Sequence, residues 1–150
     1  MANSNLPNPM DILPHRPPML YLDEITALEP DLSASGLWTP PESEYAGHFP
    51  GHPVLPGVKT VESLAQTGAI AVLANREGML PLFTNADEVR FTAMVLPSDT
   101  IETNANIIEV NDRKAKGVGV ASVSGKIVCS TNFSFVFVTE EKFFELAQRQ

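Results

Sequence analysis

The sequence predicts an α+β fold in which an antiparallel sheet wraps around one long helix. Apolar residues recur at spacings of three and four between Val58 and Leu73, the period of a helix that buries one face. Segments rich in strand-forming residues lie on both sides of this helix, and short turn sequences separate those that follow it. A sheet folded over a single apolar helix buries the apolar face of the helix and of the strands with the fewest elements.

The elements are expected within one domain that covers residues 1–150. Residues 1–9 are predicted to form a loose polar leader, and the prolines of the next segment restrict it to a single short turn. Two strands are then expected, at residues 19–28 and 33–39. The central helix is expected to begin at Pro56, where a missing N–H costs nothing, and to run for about 18–20 residues.

The rest of the chain is expected to form an antiparallel meander and a closing helix. Asn111-Asp112 and Ser124-Gly125 suit hairpin turns between strands. Thr139 suits the N-cap of the last helix, which carries two acidic residues in its first turn. The four expected strands cover residues 80–91, 100–110, 116–123 and 126–138.

The composition suits a globular protein and argues against several classes of function. Of the 150 residues, 43% are hydrophobic and 19% are charged, which is ordinary for one domain with a sizeable core. The net charge of −8 argues against nucleic-acid binding, which depends on basic residues that neutralise phosphates. The longest apolar run, Ala69–Ala74, is too short to span a membrane, and the N-terminus shows no secretion signal. We therefore expect a cytoplasmic protein that binds neither nucleic acid nor membrane.

A rigid loop precedes the central helix and presents His48 and His52. In its sequence HFPGHPVLPG, three prolines fix φ, while Gly51 and Gly57 permit close approaches that a side chain would block. A histidine held in this way can act as a general base near neutral pH. The free N–H groups at the helix start, near Gly57 and Val58, can stabilise an oxyanion.

A carboxylate, Glu62, follows in the second turn of the helix. On a helical wheel it falls inside the apolar stripe and not on the polar face with Ser63 and Thr67. A buried carboxylate is costly unless it is paired, hydrogen-bonded or protonated, and Gln66 is placed one turn later to donate to it. This pattern is expected of a carboxyl group tuned for proton transfer. The alternative is a helix-edge glutamate whose head reaches water.

Other patterns indicate weaker chemistry. His48 and His52 have a spacing seen in metal sites, but the intervening proline and glycine exclude the helix that would aim both rings at one ion, so no metal is expected. The GVG sequence at 117–119 lacks the context of a nucleotide-binding loop and is predicted to lie in a strand. The single cysteine, Cys129, is interpreted as a buried small hydrophobe. His15, between prolines, is interpreted as structural.

Three longer motifs resemble those of the β-hydroxyacyl-acyl-carrier-protein dehydratases of the FabZ type. They are LPHRPPML at 13–20, GHFPGHPVLPGV at 47–58 and VESLAQ at 61–66, and their order and spacing agree over most of the chain. The resemblance implies a hot-dog fold, a long central helix wrapped by a curved antiparallel sheet. It also implies a homodimer, in many members assembled into trimers of dimers, and an acyl carrier protein as the partner that carries the substrate.

The resemblance assigns roles to individual residues. His48 is implied as the catalytic histidine and Glu62 as the catalytic carboxylate, the latter from the neighbouring subunit's helix. The Gly57 N–H would polarise the thioester carbonyl, the Val54 carbonyl would orient His48, and Gln66 would support Glu62. The implied reaction converts a (3R)-3-hydroxyacyl thioester to a trans-2-enoyl thioester, in fatty acid synthesis or a related acyl or polyketide pathway, with no cofactor. Glutamate, where related dehydratase–isomerases carry aspartate, favours dehydration without isomerisation.

The sequence also departs from the family pattern. Thr92, Ala93 and Met94 stand where members commonly carry a basic residue and a proline, Ser98 replaces a glycine, and Leu82 stands where a tunnel-gating aromatic is expected. These departures indicate a divergent member. The basic residues proposed for carrier docking are Lys59, Arg90 and Arg16.

An apolar tunnel is expected to accept the acyl chain. Its candidate wall residues are Phe49, Leu55, Leu82, Phe83 and Phe91. Two alternatives keep the fold but change the function, namely a hot-dog acyl thioesterase and a non-catalytic acyl-carrier-binding dimer partner. A thioesterase would have little use for His48 in this loop, and a binding module would not need a buried acid.

Overall fold

The computed structural model describes residues 5–149, in which six antiparallel strands form one sheet around a central helix. Helix α2 spans Gly57–Leu73, with a one-turn helix α1 at Pro9–Ile12 and a closing helix α3 at Glu140–Ala147. A short 3-10 helix covers Glu42–Tyr45. The strands are β1 (Glu24–Glu29), β2 (Ser33–Trp38), β3 (Leu80–Phe91), β4 (Ile101–Val110), β5 (Lys114–Val123) and β6 (Lys126–Val138).

The sheet has the order β1-β2-β4-β5-β6-β3, and every pair of neighbours is antiparallel. Helix α2 packs mainly against β4, with further contacts to β2, β5 and β6. Irregularities of register interrupt β1, β3, β4 and β6, and such bulges bend a sheet and increase its twist. The predicted α+β architecture, a hot-dog fold, is confirmed. No helix among residues 5–149 is long and apolar enough to cross a membrane.

Glycines allow the central helix to lie close to the sheet. The ring of Phe133 fills the space between Gly68 on α2 and Gly117 on β5, because a Cβ atom would lie 2.4 Å from the ring at position 68 and 2.6 Å at position 117. Gly119 faces Leu64, whose Cβ would be 3.2 Å from an added Cβ. The GVG sequence therefore lies in a strand, as predicted, and its glycines make room for a phenylalanine and a helix.

Most predicted elements agree with the structure, but the first predicted strand is wrong at its start. It was expected from residue 19, whereas β1 begins at Glu24. The backbone of Tyr21 is bonded to side chains of α2, because its N–H donates to Gln66 Oε1 and its carbonyl accepts from the Ser63 hydroxyl. A segment whose backbone is satisfied by a helix in this way does not need a neighbouring strand.

The N-terminal segment is only partly described. Residues 1–4 of the predicted loose leader lie outside the described residues. Leu6 packs against the hydrophobic core, and Pro9 is buried at the start of α1. The part of the leader that the structure describes is therefore attached to the domain.

Candidate active site

His48 lies in a loop that is closed by its own backbone hydrogen bonds. The Val54 N–H donates to the His48 carbonyl over 2.8 Å, and Phe49 and His52 exchange two hydrogen bonds of 3.1 and 2.8 Å. The Nδ1 atom of His48 lies 2.9 Å from the Val54 carbonyl oxygen. Because a carbonyl can only accept, Nδ1 carries the proton and the neutral ring has its lone pair on Nε2. The geometry therefore prepares Nε2 to act as a base.

An apolar cavity of about 310 Å³ is lined by His48 and the start of α2. Gly57 and Val58 line it, and α2 has no side-chain cap at its N-terminus. Within residues 5–149, no hydrogen-bond acceptor is found for the N–H groups of these two residues. Free N–H groups at a helix start favour negative charge, so the cavity places groups that can stabilise an anion beside the His48 ring.

Phe91 covers this helix start. A Cβ atom at position 57 would lie 2.5 Å from the Phe91 ring, so the close contact depends on glycine. Leu55, which is buried, and Phe91 both line the cavity, whereas Phe49 stacks on the His48 ring with centroids 4.2 Å apart and is exposed on its other side. The cavity wall nearest His48 is thus largely apolar.

Glu62 lies in a different and smaller cavity of about 80 Å³. Its side chain is 28% exposed, and the cavity is shared with Gln66, His15 and Phe83. His48 does not line this cavity, and Glu62 does not line the larger one. One protomer therefore carries His48 and the N–H groups of Gly57 and Val58 on one surface, and the Glu62 carboxylate on another.

Gln66 holds one carboxylate oxygen of Glu62 in place by a hydrogen bond. Its amide nitrogen donates to Glu62 Oε1 over 2.9 Å and to the Met19 carbonyl over 2.8 Å, and its own oxygen accepts from the Tyr21 N–H. These three partners determine the orientation of the amide, because the backbone N–H and carbonyl admit only one assignment. The hydrogen bond between Gln66 and Glu62 expected from their spacing is present.

The helical-wheel interpretation of α2 is wrong in one respect. Ser63 and Thr67, assigned to the polar face, are fully buried, whereas Glu62 is half-buried. The Ser63 hydroxyl donates to the Tyr21 carbonyl, and Thr67 is bonded to the Ser63 carbonyl and the Thr103 hydroxyl. A helix enclosed by a sheet and an N-terminal segment has no fully solvated face, so its short polar side chains are buried with partners.

Leu82 and Phe83, the neighbouring tunnel-wall candidates on β3, face opposite sides of the sheet. Phe83 lines the Glu62 cavity, whereas Leu82 lies against α3 beside Phe143 and Leu146. Successive side chains of a strand face opposite sides of the sheet, so Leu82 is misplaced as a tunnel-wall candidate. Phe83, the residue after Leu82, supplies the aromatic side chain in the Glu62 cavity.

His15, which was interpreted from the sequence as structural, lies beside Glu62. Its Nε2 atom lies 3.7 Å from Glu62 Oε1, and it lines the same cavity. Burial lowers the pKa of His15 and outweighs the opposing influence of the Glu62 carboxylate. Its place in the LPHRPPML motif was the available signal, but proline neighbours favoured a structural interpretation.

Two further residues have a structural explanation. Cys129 is buried on the wall of the His48 cavity, and burial raises the pKa of its thiol to about 11, which leaves it a poor nucleophile. Ser98 has a φ of 77° and follows Pro97 in a turn that the Asp99 N–H closes onto the Leu96 carbonyl. That position favours glycine, so Ser98 departs from the expected glycine at a conformational cost.

Comparison with known proteins gives the family of the chain. Residues 13–132 match the FabA-like domain. The 3-hydroxyacyl-[acyl-carrier-protein] dehydratase FabZ of Roseiflexus castenholzii is 42% identical over 140 residues, which cover 91% of this chain and 98% of the relative. The enzyme of the same name from Bacillus subtilis is 41% identical over 129 residues, covering 83% and 92%.

Solved structures with low identity share the fold alone. The dehydratase heterocomplex ApeI:P of Xenorhabdus doucetiae has a TM-score of 0.79 at 16% identity and covers 95% of this chain and 98% of its own. A hypothetical thioesterase with coenzyme A from Streptococcus pneumoniae has a TM-score of 0.61 at 10% identity, covering 77% and 85%. The fold therefore does not choose between these two chemistries, whereas the sequence relatives do. By its match to that domain and its identity to these relatives, the chain belongs to the FabA-like family and, within it, to the FabZ 3-hydroxyacyl-[acyl-carrier-protein] dehydratases.

Proposed function

We propose that this protein dehydrates a (3R)-3-hydroxyacyl thioester on an acyl carrier protein to the trans-2-enoyl thioester, in fatty acid synthesis or a related acyl pathway. The observation that carries this proposal is the pairing of a histidine whose Nε2 is free with an uncapped helix start in one apolar cavity. Family membership supplies the substrate class, since the FabZ relatives are named for it.

The chemistry follows from the positions of three groups. The thioester oxygen accepts a hydrogen bond from the Gly57 N–H, which stabilises enolate-like charge and makes the α-proton more acidic. His48 Nε2 takes that proton, and the electron pair of the C–H bond forms the new C=C bond. The bond to the β-oxygen breaks as a protonated Glu62 gives its proton to the leaving hydroxyl, which departs as water. Proton transfer from His48 back to Glu62, through solvent, restores the starting state.

The proposed site is shared between two copies of the chain. In one protomer His48 and Glu62 line separate cavities, so neither surface holds the full acid–base pair. Strand β3 lies at the edge of the sheet and exposes Phe83, Val89 and Phe91. An apolar edge strand is suited to pairing with another chain. We therefore assign the carboxylate of each site to the neighbouring subunit of a homodimer; a trimer of dimers remains an expectation from the family.

Arg90 is the proposed contact for the acyl carrier protein. Of the three basic residues considered from the sequence, Lys59 is paired with Glu44 over 2.5 Å. The Arg16 guanidinium donates to the carbonyls of Leu13, His15 and Met10. Arg90 is exposed on β3 and has no ion pair within residues 5–149. Its charge is therefore the one most available to an acidic partner.

The test is turnover of a 3-hydroxyacyl thioester, with the enoyl product and free thiol measured in parallel. We expect enoyl product without thiol release, and a loss of about 10²–10⁴-fold in kcat for His48→Ala and for Glu62→Gln. His52→Ala is the matched control, because His52 is exposed and outside both cavities. Thiol release by the wild type would support a thioesterase. No turnover of carrier-bound substrate by the folded protein would support a binding role.

A further inference from the structure

His15 has one ring nitrogen that is enclosed and one that faces Glu62. The Nδ1 atom is buried and has no hydrogen-bond partner within residues 5–149. The Nε2 atom lies 3.7 Å from Glu62 Oε1, across the 80 Å³ cavity. Either tautomer leaves Nδ1 without a partner, but a lone pair on Nε2 would face the Glu62 carboxylate, whereas a proton on Nε2 faces an acceptor. The proton of the neutral ring therefore sits on Nε2 and is directed towards the carboxylate.

The surroundings keep His15 neutral. Burial lowers its pKa most, the Arg16 guanidinium lowers it further, and the Glu62 carboxylate opposes both. A charged imidazolium would also carry the unsatisfied proton on Nδ1. His15 is thus a neutral donor towards Glu62 and does not form an ion pair with it.

A separation of 3.7 Å between His15 Nε2 and Glu62 Oε1 allows a bridging water only beside the two atoms, in the cavity that they share. A separation of 3.7 Å is too long for a direct hydrogen bond. The cavity has room for at least one water molecule, which needs roughly 10–15 Å³ on this measure. His15, Glu62 and Gln66 supply the polar groups that such a water requires.

We propose that His15 is a positioning residue that donates, through a bridging water, to Oε1 of Glu62, so that the proton used in the reaction resides on Oε2. Gln66 already donates to Oε1, and an oxygen that accepts two hydrogen bonds is a poor site for a proton. Oε2 is left to carry the proton and to face the substrate hydroxyl. This inference rests on the proposed function for the role of Glu62 as an acid.

Few other ionisable groups act on this pair. Arg16 donates its N–H groups to the backbone carbonyls of Leu13, His15 and Met10, and not to Glu62. Tyr21 interacts electrostatically with Glu62 and also with Lys59 and Glu44. The last two residues form an ion pair with each other. Strands β3 and β6 line the cavity with non-ionisable side chains: Pro81, Phe83 and Phe135.

Two variants of His15 distinguish the effect of its hydrogen-bond donor from the effect of its side-chain volume. In His15→Gln the amide nitrogen can occupy the place of Nε2 and still donate, whereas His15→Leu fills the space without a donor. The hydrogen bonding of Glu62 is followed in the full-length protein, at one fixed pH, by the ¹³Cδ signals of labelled glutamates, and Glu62→Gln assigns the resonance. ¹⁵N shifts of wild-type His15 report its tautomer.

We expect the Nε2–H tautomer, and a Glu62 ¹³Cδ signal that is the same in wild type and His15→Gln but displaced in His15→Leu, because Oε1 loses a donor. In the dehydration assay, kcat should fall about tenfold in His15→Leu with little change in KM, because the proton of Glu62 is no longer confined to Oε2, and recover in His15→Gln. An Nδ1–H tautomer, an unchanged Glu62 signal in His15→Leu, or an equal displacement in both variants would overturn the proposal. These spectra do not need turnover, so they judge His15 even if the protein is not a dehydratase.

Discussion

The helix start at Gly57 and the end of strand β3 at Phe91 meet at a distance that only glycine permits, since an added Cβ would lie 2.5 Å from the ring. This contact joins the proposed oxyanion donors to the apolar wall of the His48 cavity. A side chain at position 57 must therefore displace the ring, the helix start, or both.

Gly57→Ala should impair both stability and turnover. Overpacking of this kind typically costs about 1–3 kcal/mol, and displacement of one oxyanion donor typically costs about 10²–10³ in kcat. Stability is measured by denaturant unfolding at fixed protein concentration, and kcat by enoyl formation. In Gly57→Ala combined with Phe91→Ala the clash is absent, so the destabilisation should be less than the sum of the two single changes. Additive losses would show that the two residues do not interact.

Gln66→Leu should destabilise the fold by about 2–4 kcal/mol. The change leaves the buried Tyr21 N–H without its acceptor, which typically costs about 1–3 kcal/mol, and removes the half-buried hydrogen bond to the Met19 carbonyl, which typically contributes about 1 kcal/mol. Glu62→Gln is the matched control, because it removes the carboxylate but leaves the Gln66 bonds to Tyr21 and Met19 in place. It should lose turnover while keeping more stability than Gln66→Leu. Equal stability of Gln66→Leu and wild type would show that the hydrogen bonds of Gln66 do not stabilise the fold.

The His15 environment should make stability depend on pH. The pKa of His15 is lowered from 6.5 in the folded state, mainly by burial, so below that value the unfolded chain binds more protons at this residue. His15 therefore favours unfolding increasingly as the pH falls from 6.5 towards its folded pKa.

His15→Leu and His15→Gln both remove this contribution. The free energy of unfolding of wild type should fall more than that of either variant between about pH 7.5 and pH 5.5. Because neither replacement titrates, the two should change the pH slope equally, whatever their absolute stabilities. Parallel curves for wild type and both variants would contradict a lowered pKa.

Local sequence patterns were sufficient to predict the scaffold. Strand and helix periods, the Thr139 cap and the Ser124-Gly125 turn depend on neighbours along the chain, and Thr139 Oγ1 does accept from the Lys142 N–H. The bond from Gln66 to Glu62 was predictable for the same reason, since four residues of helix fix the separation.

Interactions between distant segments could not be predicted in this way. The backbone of Tyr21 is satisfied by side chains of α2 some forty residues away, which is why the first strand was predicted too early. The same packing buries Ser63 and Thr67, against the helical wheel. The separation of His48 from Glu62 within one protomer also depends on tertiary structure, and it was expected only because the family resemblance implied a carboxylate from the neighbouring subunit.

A shared active site makes a specific prediction for mixed dimers. A subunit with His48→Ala still supplies Glu62, and a subunit with Glu62→Gln still supplies His48. If each site takes its carboxylate from the neighbouring subunit, a mixed dimer contains one intact site and one that lacks both groups.

The most direct measurement is therefore enoyl formation by the two inactive variants after they are unfolded together in equal amounts and refolded. Random pairing should restore about a quarter of the wild-type activity, because half of the dimers are mixed and each has one of its two sites intact. Each variant refolded alone, at the same total concentration, should remain inactive. No recovery from refolded mixtures shown to contain mixed dimers would contradict the account, because it would mean that His48 and Glu62 do not act together across two subunits.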